Sequence, residues 1–152
     1  MTDCQYCGTS APGGGVEHRE GELLSFILPG GFPPGINKLY DINHLSRNVR
    51  LSDQAALWKT RAIPFIKPCR WPQEWLLKLT LIYESDRWLY KNGKLRRIDL
   101  DGFLKLTIDA MFSKWGMDDS RLIEINSSKS YGAREQVRVT LEHVKRNLND
   151  AQ

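Results

Sequence analysis

Four aspartates and one lysine within residues 94–119 are the side chains of this sequence best suited to chemistry. Asp99 and Asp101 come first, Lys105 follows about one helical turn later, and Asp118-Asp119 closes the segment. Carboxylates that converge in a cleft bind a hard cation such as Mg²⁺, which prefers oxygen ligands. Such a cation activates water and neutralises charge on a phosphodiester, and a nearby lysine can stabilise developing negative charge. The pattern therefore predicts phosphodiester hydrolysis.

A basic run precedes these acids and suits a polyanionic substrate. It contains Lys94, Arg96 and Arg97. Residues i and i+2 point the same way in an extended segment, whereas on a helix they diverge by about 200°. We therefore expect Asp99 to be extended and to lie at the start of a helix, where aspartate is favoured as a cap.

A helix is predicted from Asp101 to Trp115, and Gly116 is a natural stop. A buried stripe is predicted at helical spacing: Leu100, Leu104, Ile108, Met111 and Trp115. A polar stripe is predicted at Asp101, Lys105 and Asp109. Each acid also has a structural interpretation: Asp99 as a cap, Asp101 as an ion-pair partner of Lys105, and the Asp118-Asp119 pair as a turn.

The same segment resembles the signature of the RusA family of Holliday-junction resolvases. That signature has a basic run, Asp-Leu/Ile-Asp-Asn, a lysine four residues after the second aspartate, an Asp-Ala pair, a glycine and an Asp-Asp pair. The matching residues here are Arg96-Arg97, Asp99-Leu100-Asp101, Lys105, Asp109-Ala110, Gly116 and Asp118-Asp119. Gly102 departs from the family asparagine, and the interval between Gly116 and the Asp-Asp pair is short.

The resemblance implies a homodimeric, Mg²⁺-dependent endonuclease that resolves four-way junctions by paired symmetrical nicks in DNA recombination and repair, with Mn²⁺ as a substitute ion. The catalytic residues it implies are Asp99, Asp101, Lys105 and Asp119. The implied metal ligands are Asp99, Asp101, Asp118 and Asp119. The implied DNA contacts are Asn37, Tyr40, Lys94, Arg96, Arg97 and Lys129.

Asn37 and Tyr40 follow a Pro-Pro pair, as in the family. Their presence can also be explained by local hydrogen bonds in a turn.

Length and composition are those of one globular domain. The chain has 152 residues, 41% apolar residues and a net charge of +4, which permits nucleic-acid binding without requiring it. No apolar run is long enough to cross a bilayer, and no signal pattern opens the chain, so we expect a cytoplasmic protein without a membrane partner. Three cysteines do not indicate a disulfide framework.

Three segments are expected along the chain. Residues 1–21 form a flexible extension, residues 22–146 the RusA-like domain and residues 147–152 a polar tail. Cys4 and Cys7 form a C-x-x-C knuckle that could hold zinc with His18 and Cys69. Since no second knuckle pairs with it, we expect reduced thiols in a tail rather than a zinc site.

The predicted architecture is α+β, a mixed sheet with two main helices packed against it. Strands are predicted at residues 22–28, 75–83, 88–90, 122–127 and 136–144, and Ser52 caps a helix over residues 53–65. Residues 41–51 are expected to form an exposed loop, and residues 127–135 the tip of a hairpin joining the last two strands. His143 falls on the apolar face of its strand and is expected in the core.

Two further functions stay open. The same active site could cut flaps or forks, because loops and dimer geometry set substrate choice. Alternatively, the chain could be a non-catalytic nucleic-acid-binding module with a zinc-bound N-terminus. Clustered carboxylates repel phosphates unless a cation bridges them, so the acid count favours the enzyme.

Overall fold

The computed structural model describes residues 2–3, 10–11, 23–68 and 76–144. Eight strands are described: β1 Thr2–Asp3, β2 Ser10–Ala11, β3 Leu23–Pro29, β4 Tyr40–Asn43, β5 Asn48–Leu51, β6 Leu76–Glu84, β7 Leu122–Ser130 and β8 Gln136–Val144. Two α-helices are described: α1 Asp53–Ala62 and α2 Asp101–Trp115. Short 3₁₀ turns cover Ile36–Lys38, Ile63–Phe65 and Asp119–Arg121.

A four-stranded mixed sheet in the order β3-β8-β6-β7 forms the centre of the fold. β8 pairs antiparallel with both β3 and β6, whereas β6 and β7 are parallel and are connected through α2. The predicted α+β single domain with a mixed sheet and two helices is confirmed. The predicted hairpin between the last two strands is wrong, because β6 lies between β7 and β8.

The core lies between the sheet and the two helices. β6 alternates buried and half-buried side chains, as expected for a central strand with one face on the core. Tyr83 is fully buried there; its hydroxyl bonds Thr107 of α2 at 3.1 Å, and burial raises the pKa of Tyr83 to about 12. His143 is also fully buried, which confirms its predicted core position.

The segment from β3 to α1 carries one confirmed prediction and one error. Ser52 caps α1, since its hydroxyl accepts the Ala55 N–H at 3.2 Å. Residues 41–51 were expected as a loop, but β4 and β5 pair antiparallel in an exposed hairpin. Its alternation covers only four residues per strand, which is too short to separate a hairpin from a loop by pattern alone.

α2 has the predicted bounds, and Gly116 ends it with φ +64° in the left-handed region. Its buried face is wider than the predicted stripe, because Phe103, Leu106 and Ala110 are buried while Leu100 and Leu104 are only half-buried. Asp99 does not cap the helix. Leu100 occupies the cap with helical dihedrals and makes no side-chain capping bond.

Several predictions lie largely outside the described residues. Of the predicted extension, the structure describes only the short β1–β2 pair, and of the predicted tail it describes nothing.

The predicted strand at residues 88–90, which the structure does describe, reduces to a single bridge between Leu89 and Leu95. In the described part of the chain, no helix is long and apolar enough to span a membrane.

Candidate active site at the start of the second helix

A cleft at the N-terminal end of α2 contains the first acid pair. It has a volume of about 410 Å³ and is lined by Gly35, Asn37, Lys38, Ile98, Asp99, Asp101, Gly102 and Phe103. Asp99 and Asp101 are both exposed, one in the approach to the helix and one at its first residue. The structure thus brings Asn37 together with the two acids that the sequence predicted as metal ligands.

The opposite wall of this cleft comes from the turn after β3, which is held by long-range hydrogen bonds. Gly31 N–H donates to the Glu135 carbonyl at 3.1 Å, and the Trp58 indole donates to the Gly31 carbonyl at 3.1 Å. Farther along, the Ser52 hydroxyl donates to the Lys38 carbonyl at 2.6 Å. These bonds tie the segment carrying Asn37 to the residue before β8 and to α1 with its cap.

Lys38 is a cleft residue that the sequence analysis missed. It lines the same cleft as the acids and is the only lysine or arginine among the described residues that line it. Its position directly after Asn37, in the segment already singled out by the Pro-Pro pair, was the available signal. A cation beside two carboxylates suits a site that must hold both a metal ion and a phosphate.

Lys105 lies one turn into α2 and is paired with a different acid from the one considered from sequence. Its Nζ lies 3.6 Å from the carboxylate of Asp109, in an i,i+4 ion pair. The Asp109 charge, and then the Tyr40 side chain, raise the pKa of Lys105 above its ordinary value. Lys105 therefore carries its positive charge throughout the neutral and mildly alkaline range.

Asp118 and Asp119 lie beyond the other end of α2. A helix of 15 residues is about 22 Å long, so this second pair is separated from Asp101 by roughly that distance within one chain. Asp118 Oδ1 accepts the Ser120 N–H at 2.8 Å, which caps the 3₁₀ turn Asp119–Arg121. That hydrogen bond holds the pKa of Asp118 below its ordinary value.

The four acids consequently form two separate pairs in a single chain. Among the described residues, no group of three or more His, Cys, Asp or Glu side chains could hold a metal ion. The oxygen donors of Asp99 and Asp101 suit a hard cation in type but supply only two side chains. The amide oxygen of Asn37 in the same cleft is of a suitable type, and water, the substrate or another chain can supply further ligands.

Three of the four predicted DNA-contacting cations directly precede the first acid pair in the chain, and the fourth, Lys129, lies on β7. Arg96 places its guanidinium carbon 5.2 Å from the ring centroid of Tyr90, while Lys94 and Arg97 are exposed. Lys129, near the end of β7, places its ammonium 5.0 Å from the ring centroid of the buried Trp88. The predicted zinc residues Cys4 and Cys7, like His18 and Cys69, lie outside the described residues.

Comparison with known proteins identifies the family. The model of the RusA endodeoxyribonuclease family matches residues 66–142, half of the chain, which includes both aspartates of the cleft and Lys105 but leaves out Asn37 and Tyr40. No curated protein matches the chain. Nucleases of this family typically depend on a divalent metal, and the family implies binding to branched DNA. The chain belongs to the RusA family of endodeoxyribonucleases.

Proposed function

We propose that this protein resolves Holliday junctions by paired symmetrical nicks, with Mg²⁺ as cofactor and Mn²⁺ as a substitute, in DNA recombination and repair. The observation that carries the proposal is the placement of Asp99 and Asp101 in one cleft with Asn37 and Lys38, on a chain of the RusA family. A cytoplasmic location stays a prediction.

The two cleft aspartates and Lys105, which lies one turn further along α2, would have separate roles in hydrolysis. Asp99 and Asp101 would hold the metal ion, which when bound lowers the pKa of water and neutralises phosphate charge. Lys105, whose pKa is raised by Asp109, would stabilise the charge that develops on the scissile phosphate. A water oxygen bonds to phosphorus, the bond to the 3′ oxygen breaks, and that oxygen takes up a proton, leaving a 5′-phosphate and a 3′-hydroxyl.

The separation of the two acid pairs supports a homodimeric active site. Asp118 and Asp119 lie just beyond the C-terminal end of α2, whose 15 residues separate them from Asp101 by roughly 22 Å. A two-fold axis that packs two copies of α2 antiparallel brings the C-terminal end of one helix to the N-terminal end of the other. Each site would then contain Asp99 and Asp101 of one protomer with Asp118 and Asp119 of its partner, and the two sites would face two equivalent strands of a junction.

The test is cleavage of a synthetic four-way junction beside linear duplex, flap and fork controls, with Mg²⁺ or EDTA. Paired symmetrical nicks on the junction, with Mg²⁺ only, would support the proposal. Cutting of flaps or forks instead would keep the active site and discard the junction as substrate. Tight junction binding without any cleavage would favour a non-catalytic binding module.

A further inference from the structure

A second cleft lies immediately before the acids in the chain and has no role in the proposed hydrolysis. Its volume is about 500 Å³, and its lining includes Tyr90, Lys91, Arg96 and Tyr131. Two aromatic rings stand open to solvent there, since Tyr90 is 54% and Tyr131 is 70% exposed. Both rings therefore keep part of their apolar surface open to solvent within the cleft.

The wall that carries Tyr90 is a tight turn fixed by backbone hydrogen bonds. Tyr90 N–H donates to the Lys94 carbonyl at 2.8 Å, and Gly93 N–H donates to the Tyr90 carbonyl at 2.9 Å. Gly93 has φ +81°, a left-handed conformation that glycine adopts without strain. Arg96 N–H then donates to the Trp88 carbonyl at 2.8 Å, so the turn is anchored to a buried tryptophan.

The wall that carries Tyr131 is fixed against the end of β6. Ser85 N–H donates to the Ser130 carbonyl at 3.0 Å, and Gly132 N–H donates to the Ser85 carbonyl at 3.4 Å. A Cβ atom at Gly132 would lie 2.5 Å from Cγ of Glu84, so the backbone of this turn packs directly on the Glu84 side chain at the end of β6. Tyr131 is therefore exposed on a turn that is held in place by backbone hydrogen bonds.

The charges around the two rings are mostly positive. Arg87 is neutralised, because its guanidinium bonds both carboxylate oxygens of Glu135 at 3.0 and 3.1 Å. Arg96 lies over the Tyr90 ring at 5.2 Å, and Lys91 is exposed. Asp86 is the one acid among the described residues that line this cleft. Aromatic faces beside cations are the features that bind unpaired bases and their phosphates.

We propose that this cleft takes a nucleobase displaced from its stack at the branch of the DNA, with Tyr131 and Tyr90 as stacking surfaces and Lys91 and Arg96 against the backbone. The proposal rests on the proposed function for its substrate. It places the displaced base close to the cut, because the three residues from Arg96 to Asp99 can span at most about 11 Å. Selectivity for branched DNA would follow, since a base in intact duplex is not free to enter.

The experiment measures binding of a four-way junction and of linear duplex in EDTA, so that the strands stay intact. Loss of a stacked base contact corresponds to roughly 5- to 150-fold weaker binding. We expect that loss for the junction, and not for the duplex, in Tyr131→Ala and in Tyr90→Ala. Tyr131→Phe keeps the ring, and Phe65→Ala removes an aromatic side chain of similar exposure (50%) in another part of the chain, so both should bind as wild type.

A second readout places 2-aminopurine at each branch position of the junction. We expect one position to change its fluorescence on binding wild type and not on binding Tyr131→Ala. Unchanged junction affinity in both alanine variants, or an equal loss of affinity for junction and duplex, would overturn the proposal that this cleft binds a displaced base. The proposed nuclease function would still stand if the wild type cleaves the junction with Mg²⁺. If junction binding depends on the tyrosines but the wild type does not cleave, the proposed nuclease function is wrong and the base-binding role of the cleft stands.

Discussion

At the N-terminal end of α2, Asp101 shares a cleft with Asp99, Asn37 and Lys38, whereas at the C-terminal end Asp118 and Asp119 lie exposed around a short 3₁₀ turn. The first pair faces groups that can hold a substrate phosphate. The second pair has one carboxylate already engaged by a backbone N–H. Each end resembles half of a metal site, and a rigid helix keeps the halves apart within one chain.

In the proposed homodimer, one helix would contribute acids to two active sites. The buried face of α2 fixes its position on the sheet, and its length fixes the separation of the acids at about 22 Å. The chain cannot close that gap by side-chain rotation. If both pairs are needed for cleavage, a second copy must supply one of them.

The largest effect is expected from Asp101→Asn, which keeps the shape of the side chain and removes its charge. Cleavage of the junction should fall roughly 10³-fold, in line with the loss of one charge-stabilising group from a prearranged site, while junction binding in EDTA is retained. The matched control is Asp53→Asn, since Asp53 is the first residue of α1 as Asp101 is of α2. Full activity in Asp101→Asn would remove the acid pair from the mechanism.

Asp119→Asn tests whether the distant end of α2 belongs to the same chemistry. We expect a loss nearly as large as for Asp101→Asn. In the proposed composite site, which is shared between two protomers, acids from both ends of α2 are needed. Glu124→Gln is a control nearby in the chain, as it removes an exposed acid whose partner is Lys78 at 3.7 Å. Wild-type rates in Asp119→Asn would restrict the active site to the N-terminal end.

Lys105→Ala should reduce the cleavage rate by roughly 10²-fold, since the charge that opposes the developing negative phosphate is lost. Lys105 lies on the exposed side of α2, so the melting temperature should change little. Lys105→Arg keeps the charge and should recover part of the rate. Unchanged single-turnover rates in Lys105→Ala would exclude a catalytic role for Lys105 and leave it a structural role in the ion pair with Asp109.

The smallest effect is expected in stability. The Ser120 N–H lowers the pKa of Asp118 in the folded protein, so the charged carboxylate stabilises the fold above the ordinary pKa of 3.8, and this contribution is lost as pH falls through the lowered value. Asp118→Ala should therefore melt slightly below wild type at pH 7, because this exposed carboxylate is screened by solvent. The difference should shrink in thermal unfolding curves as the pH falls below 3.8; a difference that stays constant would exclude this hydrogen bond as its cause.

Much of the fold could be predicted from sequence because its signals are local. Gly116 marks the end of α2, Ser52 marks the start of α1, and the alternation in β8 marks a strand. The strand order could not be predicted in the same way. The turn residues between β7 and β8 look like those of a hairpin, yet β6 takes the place between them, and that choice depends on long-range packing.

The candidate site was predicted in part for the same reason. Asp99 and Asp101 are close in sequence, and the structure places both in one cleft. The expected role of Asp99 as a cap failed because Leu100 already has helical dihedrals. The four acids do not come together in one chain. The whole length of α2 lies between the two pairs, so they are far apart in space although the family signature contains them all.

The most direct test of the composite site is complementation between two inactive variants. Asp101→Asn and Asp119→Asn are co-expressed, and the mixed dimers are assayed for nicking of a four-way junction with Mg²⁺. In a composite site the mixed dimer has one site with both substitutions and one intact site, so we expect cleavage to return as single nicks. If every site is built from one chain, each protomer stays defective, and an inactive mixture would contradict the shared active site.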